Sequence, residues 1–295
     1  MFAKGLCAAL LLTATAAVPS APAPAADGQE QWTRQCKDWD EWDKPAPPFR
    51  IWGNAYYVGT CGITAILITG SAGDVLIDGG PADAGDIIAA NIRQLGVALS
   101  DVKILLHTHE HHDHVGGLAR LKQLTGARLF ASPLAAQALE RGTPNPDDPQ
   151  YADHHPLPAV PVDRILEGNA TVTLGNLTLK AYATPGHTPG ALSWQWQSCE
   201  GDDCKRIVYA DSLTPVSSDG YKFTDHREVV AAFNNSLIRV GSLQCDILLS
   251  PHPSASGLRN RLLKGSLVDP TACFIYANGL KQQLDARLKK EDNGE

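Results

Sequence analysis

The chain has 295 residues, with 32 acidic and 25 basic side chains and a formal net charge of −7 at pH 7. This acidic balance argues against a nucleic-acid partner, because phosphate backbones are bound through basic surfaces. After residue 25 no stretch is apolar over the roughly 20 residues that a membrane span needs.

The first 25 residues have the pattern of a secretory signal peptide. Lys4 supplies a positive start, and the apolar run Leu6 to Val18 is about 13 residues long, too short for a comfortable membrane span. Ala23-Pro24-Ala25 is a small-x-small cleavage pattern, so we expect cleavage near Ala25. The mature chain would be soluble and exported, and the loss of Lys4 changes its net charge to −8 (24 basic against 32 acidic residues).

In chain order, the first half alternates between strand and helix patterns. A polar arm over residues 27–50 precedes the runs GITAILITG and GDVLIDGG, which predict a hairpin. ADAGDIIAANIRQLG predicts a helix with a glycine stop, and VKILLHTH predicts a buried strand. A helix in GLARLKQLTG, a strand in ARLFASP and a short helix in LAAQALERG follow.

A proline-rich connection, TPNPDDPQYADHHPLPAVPVDR, separates the two halves. Connections of this length are usually functional or disordered, and this one either lines a cleft or is a plain surface excursion. Strands follow in ATVTLGNLTLKAYATPGHTPG, ALSWQWQ and KRIVYADS, then a helix in REVVAAFNNSLIRVGSL, a strand in CDILLSPHP and a helix from Ala272 to Lys290. The alternation predicts a layered α/β fold with two mixed sheets.

Six cysteines remain after the signal peptide, which suggests disulfides in an oxidising compartment. Six allow 15 full pairings, and free buried thiols or a soft metal site are the alternatives. Cys199 and Cys204 face each other across an acidic turn between two strands, which favours a hairpin disulfide. Two further pairs would tie the arm to the first strands and a late strand to the last helix: Cys36–Cys61 and Cys245–Cys273.

The segment ILLHTHEHHDHVGG places five histidines, Glu110 and Asp113 within eight consecutive residues. Because side chains alternate along an extended chain, His107, His109 and His111 would share one face if the strand continues. Two histidines two apart, followed by an adjacent Asp-His pair, can hold two metal ions, and imidazole and carboxylate are suitable zinc ligands. His187 in TPGHTPG and His252 in LLSPHP also follow strands, where loops gather to form sites.

These motifs resemble those of the metallo-β-lactamase superfamily. HEHHDHVGG contains its His-x-His-x-Asp-His motif, and IDGG, TPGHTPG, YADSL and SPHP occur in the superfamily's order. The resemblance extends from Gly53 to the C-terminal helix. It implies an αββα sandwich of two mixed β-sheets flanked by helices, with residues 1–25 as signal peptide and one domain over residues 26–295.

Finer features resemble subclass B3 of the β-lactamases. Those enzymes have serine where other subclasses have a zinc-binding cysteine, and Ser212 in YADSLTP matches that position. They also bind the second zinc through a histidine of the motif, here His114. The Cys245–Cys273 pair resembles their disulfide, and two pairs resemble those of a few acquired members: Cys36–Cys61 and Cys199–Cys204.

The resemblance implies two zinc ions per chain with a hydroxide between them. The first zinc would be bound by His109, His111 and His187. The second would be bound by Asp113, His114 and His252. Ser212 and Thr214 would contact the substrate carboxylate or order water near the second zinc.

Neighbouring residues receive other roles. His107 would pack at the strand end, and His112 would be turned away from the metals or support their ligands. Glu110 would face solvent. Asp78, in IDGG, would hydrogen-bond a ligand imidazole and fix its tautomer. Three more histidines are expected to be exposed polar residues: His154, His155 and His226.

The implied activity is zinc-dependent hydrolysis of the β-lactam amide bond of penicillins, cephalosporins and carbapenems, which confers antibiotic resistance. Zinc lowers the pKa of bound water to about 7, and Asp113 would be the catalytic residue that orients the resulting hydroxide. Export fits this activity, because cell-wall-directed antibiotics act in the periplasm. We expect a monomer that acts on small molecules and has no membrane partner after signal cleavage.

Three alternatives stay open. YADSL can be aligned in a second register, in which Asp211 bridges both metals as in lactonases and glyoxalase-type thioesterases. A second alternative is an exported zinc-binding protein without catalysis. A third is a phosphodiesterase or nuclease, which the acidic balance disfavours.

Overall fold

The computed structural model describes residues 27–294. The predicted signal peptide, with Lys4, Cys7 and the cleavage pattern, lies outside the described residues. Within the described part of the chain, no helix is both long and apolar enough to cross a bilayer.

The described residues form twelve strands and eight α-helices. The strands are β1 (Phe49–Trp52), β2 (Ala55–Tyr57), β3 (Ile66–Ile68), β4 (Asp74–Ile77), β5 (Val102–Leu106), β6 (Arg128–Ala131), β7 (Arg164–Ile165), β8 (Thr171–Leu174), β9 (Leu177–Ala183), β10 (Leu192–Glu200), β11 (Asp203–Tyr209) and β12 (Ile247–Leu249). The helices are α1 (Asp27–Gln35), α2 (Ala84–Gln94), α3 (His112–Val115), α4 (Leu118–Thr125), α5 (Pro133–Arg141), α6 (Arg227–Gly241), α7 (Leu258–Leu263) and α8 (Ala272–Asp292).

The strands form two mixed sheets, as the alternating pattern predicts. The first sheet has the order β1-β2-β3-β4-β5-β6-β7, antiparallel from β1 to β4 and parallel from β4 to β7. The second has the order β12-β11-β10-β9-β8, in which only the β11–β12 pair is parallel. The parallel pairs follow from the helical crossovers, since parallel neighbours need a long connection.

The central strands β3 and β4 of the first sheet are buried on both faces because both faces are covered. Along β3, Ile66 and Ile68 point into the core between the two sheets, whereas Leu67 points into the core beneath the outer helices. A third core, with Phe233 and Leu280, packs α6 and α8 on the outside of the second sheet. The layers are therefore helix, sheet, sheet, helix, and the αββα prediction is confirmed.

The N-terminal arm has more structure than its polar composition predicts. Its first residues form α1, from which Trp32 is buried in edge-on contact with Phe49 and Tyr57. Strands β1 and β2 then extend the first sheet. One apolar anchor and two short strands give too weak a period for recognition from the sequence alone.

The structure joins the six cysteines in the three expected pairs. Cys199 and Cys204 are directly opposite each other at the end of the β10–β11 hairpin. The other two disulfides tie distant segments, the arm to the loop after β2 and the segment before β12 to the start of α8: Cys36–Cys61 and Cys245–Cys273.

Candidate metal centre

The histidine-rich segment leaves the first sheet at once, because β5 ends at Leu106 and α3 begins at His112. The strand therefore does not continue through His111, so the condition under which His107, His109 and His111 would share one face is not met. His107 is buried, and its Nε2 accepts a hydrogen bond from the backbone N–H of Ser132 at 3.2 Å. This agrees with its predicted packing at the strand end.

His109, His111 and His187 form a first group of metal-binding type. One nitrogen of each lies within 4.8 Å of the others, and the ring centroids are 4.8 Å apart in all three pairs. All three side chains are buried. His187 comes from the loop after β9, so the first group joins loops from both sheets.

Each ring in the first group meets an oxygen through one nitrogen, which leaves the other nitrogen for a metal. The contacts are His109 Nδ1 to Asp211 Oδ1 at 2.8 Å, His111 Nε2 to Asp148 Oδ2 at 2.8 Å and His187 Nδ1 to the Thr214 carbonyl at 2.9 Å. Nε2 of His109 is buried and has no hydrogen-bond partner among the described residues. Metal-bound histidines are held by oxygen partners in this way.

Asp113, His114 and His252 form a second group with donor atoms within 4.8 Å of one another. Oδ2 of Asp113 lies 3.0 Å from Nε2 of His114 and 3.5 Å from Nε2 of His252. The two groups adjoin, because the rings of His109 and His114 have centroids only 4.1 Å apart. His252 follows β12, so this group also links the two sheets.

Metal binding requires neutral imidazoles and ionised carboxylates, and the pKa shifts of most of the donor groups favour those states. Burial lowers the pKa of His111 and of His187 to about 3, and that of His252 to about 4. Burial opposes ionisation of Asp113, but the charge of His114 and its hydrogen bond outweigh that effect and hold the pKa well below its usual range. The Asp113 carboxylate in turn raises the pKa of His114, against the effect of burial. Five nitrogens and a carboxylate, buried and converging, fit a pair of transition-metal cations.

The role expected for Asp78 is wrong. Its carboxylate accepts hydrogen bonds from the N–H and hydroxyl of Thr108, at 2.7 and 2.9 Å, and from the Tyr209 hydroxyl at 2.6 Å. No imidazole is among its hydrogen-bond partners in the described part of the chain. Asp78 therefore anchors the start of the histidine segment, whereas Asp211 and Asp148 contact ligand-type imidazoles, those of His109 and His111.

Glu110 does not face solvent as expected. It is 2 % exposed, and its carboxylate accepts from the Thr188 hydroxyl at 2.7 Å and from the Gly190 N–H at 2.8 Å. Burial raises its pKa to about 7. Glu110 instead ties the histidine segment to the loop that carries His187.

Ser212 and Thr214 lie beside the centre, and their contacts with substrate stay predictions. Ser212 is buried, and its hydroxyl has no hydrogen-bond partner among the described residues. Thr214 holds His187 through its carbonyl and through its hydroxyl, which lies 3.2 Å from Nδ1. Asp211 lies behind His109, outside both donor groups, so this arrangement does not favour it as a bridging ligand.

Among the remaining histidines, His112 is half-buried, and its Nδ1 lies 3.1 Å from Nδ1 of His154. His155 is exposed as expected. His154 is half-buried and packs on the ring of His111, with centroids 3.8 Å apart, so its expected exposure is wrong. His226 is also half-buried, stacked on Tyr221.

Two residues that contribute to the centre, Asp148 and Trp42, were not predicted from the sequence. Asp148 reaches it from the proline-rich loop, across 37 residues from His111, so no local spacing signals it. Trp42, on the arm, packs against His252 with ring centroids 5.6 Å apart. Beside His252 is a cleft of about 270 Å³, lined by Trp39 and Trp42 from the arm. The arm thus forms one side of the cleft beside the centre.

Comparison with known proteins agrees with the geometry. The model of the metallo-β-lactamase superfamily matches residues 58–200. The solved structure of the MIM-2 metallo-β-lactamase is 54% identical, with a TM-score of 0.86, and the match covers 90% of this chain and 98% of that one. MIM-1 from Novosphingobium pentaromativorans is 46% identical over the same shares, with a TM-score of 0.87.

Two other relatives are less similar to this chain. MEM-A1, a subclass B3 metallo-β-lactamase from a soil metagenome library, is 37% identical with a TM-score of 0.83, and the match covers 86% of this chain and all of MEM-A1. A hydroxyacylglutathione hydrolase from Anaeromyxobacter dehalogenans is 32% identical over 149 residues, which are 50% of this chain and 44% of that enzyme. The match thus spans less than half of that curated relative. The chain belongs to the metallo-β-lactamase superfamily, and its solved relatives include enzymes of subclass B3.

Proposed function

We propose that this protein is a dinuclear zinc hydrolase that opens the β-lactam amide bond of penicillins, cephalosporins and carbapenems and thereby confers resistance to them. The observation that carries the proposal is the pair of adjoining donor groups, three imidazoles in one and a carboxylate with two imidazoles in the other. The 54% identity to the MIM-2 metallo-β-lactamase, over almost all of that chain, supports the substrate class.

The ligands of the first zinc would be His109, His111 and His187, and those of the second Asp113, His114 and His252. When bound, two zinc ions supply hydroxide at neutral pH and polarise the carbonyl under attack. Imidazole nitrogens with one carboxylate oxygen suit zinc better than magnesium or calcium, which prefer oxygen ligands.

The chain's own residues then orient the reaction. Asp113 is buried and ionised, so it would accept a hydrogen bond from the attacking hydroxide and hold its direction toward the amide carbon. Asp211, Asp148 and the Thr214 carbonyl hold the ring tautomers of the first group. The substrate would reach the centre from the side of His252, whose side chain is 28% exposed and packs against the Trp42 ring.

Ser212 and Thr214 complete the proposed site as contacts for the substrate carboxylate or an ordered water. The protein would act in the periplasm as a monomer, after removal of residues 1–25 from the domain over residues 26–295. The apolar run and the Ala23-Pro24-Ala25 pattern support export, and the three disulfides suit an oxidising compartment.

A hydrolysis panel tests the activity. The purified mature protein is assayed on a penicillin, a cephalosporin, a carbapenem, a homoserine lactone and an S-acylglutathione, each with and without EDTA. We expect chelator-sensitive opening of the three β-lactams and little turnover of the lactone and thioester. Preferred turnover of the thioester would instead support the hydroxyacylglutathione hydrolase activity named for the curated relative.

Matched variants test the ligand assignment. His187→Ala should lose most of the first-site zinc and nearly all activity, whereas the exposed His155→Ala control should keep both. Asp113→Asn should lower kcat far more than it changes KM. Zinc content by atomic emission, measured beside turnover, would contradict the assignment if His187→Ala retained as much zinc as the wild type.

A further inference from the structure

We propose that Asp148 is a positioning residue for the first metal site, and that the proline-rich loop (residues 143–161) thereby sets the affinity of that site. The inference rests on the proposed function, because it takes His111 as a zinc ligand. In this proposal the loop holds the imidazole of His111 through two contacts, one to the ring nitrogen Nε2 and one to the ring face.

The carboxylate of Asp148 is itself firmly held. Asp148 is 3 % exposed, and Oδ1 accepts a hydrogen bond from the backbone N–H of Gln150 at 2.7 Å. Its backbone N–H donates to the Asn145 carbonyl, and its carbonyl accepts from the Tyr151 N–H, both at 3.0 Å. These local bonds leave Oδ2 aimed at Nε2 of His111, 2.8 Å away. The carboxylate is pre-organised rather than drawn in by the imidazole alone.

This contact decides which nitrogen of His111 can bind a metal. An ionised carboxylate only accepts hydrogen bonds, so Nε2 of His111 must carry the proton. The lone pair is then on Nδ1, the other ring nitrogen. A carboxylate partner also makes the imidazole a more basic ligand, and loss of such a partner typically costs 10–100-fold in metal affinity.

The support of His111 differs from that of its two neighbours. His109 and His187 are held from one short segment after β11, which contains Asp211 and Thr214. His111 alone in the first group is held from the proline-rich loop, by Asp148 at its edge and by the ring of His154 on its face at 3.8 Å.

The loop is fixed to the body of the protein at several points. The N–H of Leu157 donates to the Gly142 carbonyl at 3.0 Å, and that of Val160 donates to the Leu139 carbonyl at 2.9 Å. The Ser218 N–H donates to the carbonyl of Pro149, the residue after Asp148, at 2.9 Å. These hydrogen bonds hold the loop in place, and the loop in turn holds Oδ2 of Asp148 beside His111.

The test compares Asp148→Ala and Asp148→Asn with Asp147→Asn in the full-length mature protein. Asp147 is exposed on the same loop, so its substitution makes the same change of charge without touching His111. Zinc dissociation constants of both sites are measured by competition with a chromophoric chelator. The absorption spectrum of the Co²⁺-substituted protein reports the first-site geometry without reference to activity.

We expect Asp148→Ala to weaken first-site zinc affinity about 10–100-fold and to change the cobalt spectrum. Asp148→Asn should lie between Ala and wild type, because an amide oxygen accepts the Nε2–H more weakly than a carboxylate does. Asp147→Asn should match the wild type. Added zinc should restore β-lactam turnover by both Asp148 variants, which simple unfolding would not allow.

An Asp148→Ala protein with wild-type zinc affinity would overturn the proposal. If that variant does not fold, Asp148→Asn decides: wild-type affinity together with a wild-type cobalt spectrum would overturn it equally. Failure of the proposed function is distinguishable, since a wild-type protein that binds two metals but opens no β-lactam still permits the same affinity comparison.

Discussion

At the scale of single residues, Asp78 shows how one buried side chain can hold the start of a metal site without touching it. Its backbone has a φ of 68°, a left-handed conformation that asparagine and aspartate tolerate better than most residues do. Its carboxylate accepts from both donors of Thr108 and from the Tyr209 hydroxyl. It therefore fixes the chain just before His109.

Asp78→Ala should lower the free energy of unfolding by about 3 kcal/mol, because buried donors lose their acceptor and alanine disfavours a positive φ. Asp78→Asn should lower the free energy of unfolding by clearly less, since its amide oxygen still accepts a hydrogen bond and asparagine tolerates this backbone conformation. Urea denaturation of the zinc-loaded proteins measures the difference. Equal losses in the two variants would contradict this account.

A second buried carboxylate should make stability depend on pH. Asp74 is 5 % exposed, and burial raises its pKa to about 6, although the Gly70 N–H donates to Oδ1 at 3.1 Å and opposes the shift. The pKa in the folded state exceeds the value of 3.8 expected for the unfolded chain. Its contribution to stability is therefore fully present below pH 3.8 and is lost as the pH rises through about 6.

Asp74→Asn keeps an oxygen acceptor for Gly70 and removes the buried charge. We expect the free energy of unfolding of the variant to exceed that of the wild type by about 1–2 kcal/mol at pH 8. This difference should become smaller toward pH 4. Urea unfolding at the two pH values measures it, and metal-site effects cancel because both proteins share that site. An advantage of the same size at pH 4 would show that something other than ionisation is responsible.

At the scale of elements, the disulfides should stabilise the fold by different amounts, depending on the length of chain that each one closes. Cys36–Cys61 closes 25 residues and ties the arm to the first sheet, whereas Cys199–Cys204 closes only five residues at the end of a hairpin that is already paired. A cross-link stabilises more when it removes more freedom from the unfolded chain.

Replacing both Cys36 and Cys61 by serine should cost about 3–4 kcal/mol, against about 2 kcal/mol for the matched double variant of Cys199 and Cys204. Denaturant midpoints under non-reducing conditions measure both losses. The first variant should also release Trp42 from His252, which tryptophan fluorescence with and without zinc would report. A larger loss from the hairpin pair would reverse the expected order.

The same contrast between local and distant determinants explains what the sequence could predict. Strands with both faces buried, and the helices between them, carry a strong local pattern, as along β3 with Ile66, Leu67 and Ile68. The six donor residues could be assigned because their motifs, which follow strand ends, resemble those of the metallo-β-lactamase superfamily. The burial of Glu110 and the partner of Asp78 could not be predicted, since alternation ends with β5 and their contacts depend on the turn that follows.

At the scale of the whole molecule, the metal centre lies where the two sheets meet. The segment after β5 in the first sheet contributes His109, His111, Asp113 and His114. The second sheet contributes His187 after β9 and His252 after β12. Nδ1 of His114 and Nε2 of His109 are buried and have no hydrogen-bond partner among the described residues.

Metal removal should consequently destabilise the whole fold. A ligand that binds only the folded state adds RT ln(1 + [L]/Kd), about 4 kcal/mol at a thousandfold excess over Kd. For a chain of this size, dialysis against a chelator should lower Tm by about 10 °C. Calorimetry should find that Zn²⁺ restores Tm and Mg²⁺ does not, because magnesium prefers oxygen ligands. If chelation left Tm unchanged, bound metal would not be holding the two sheets together through the six side chains.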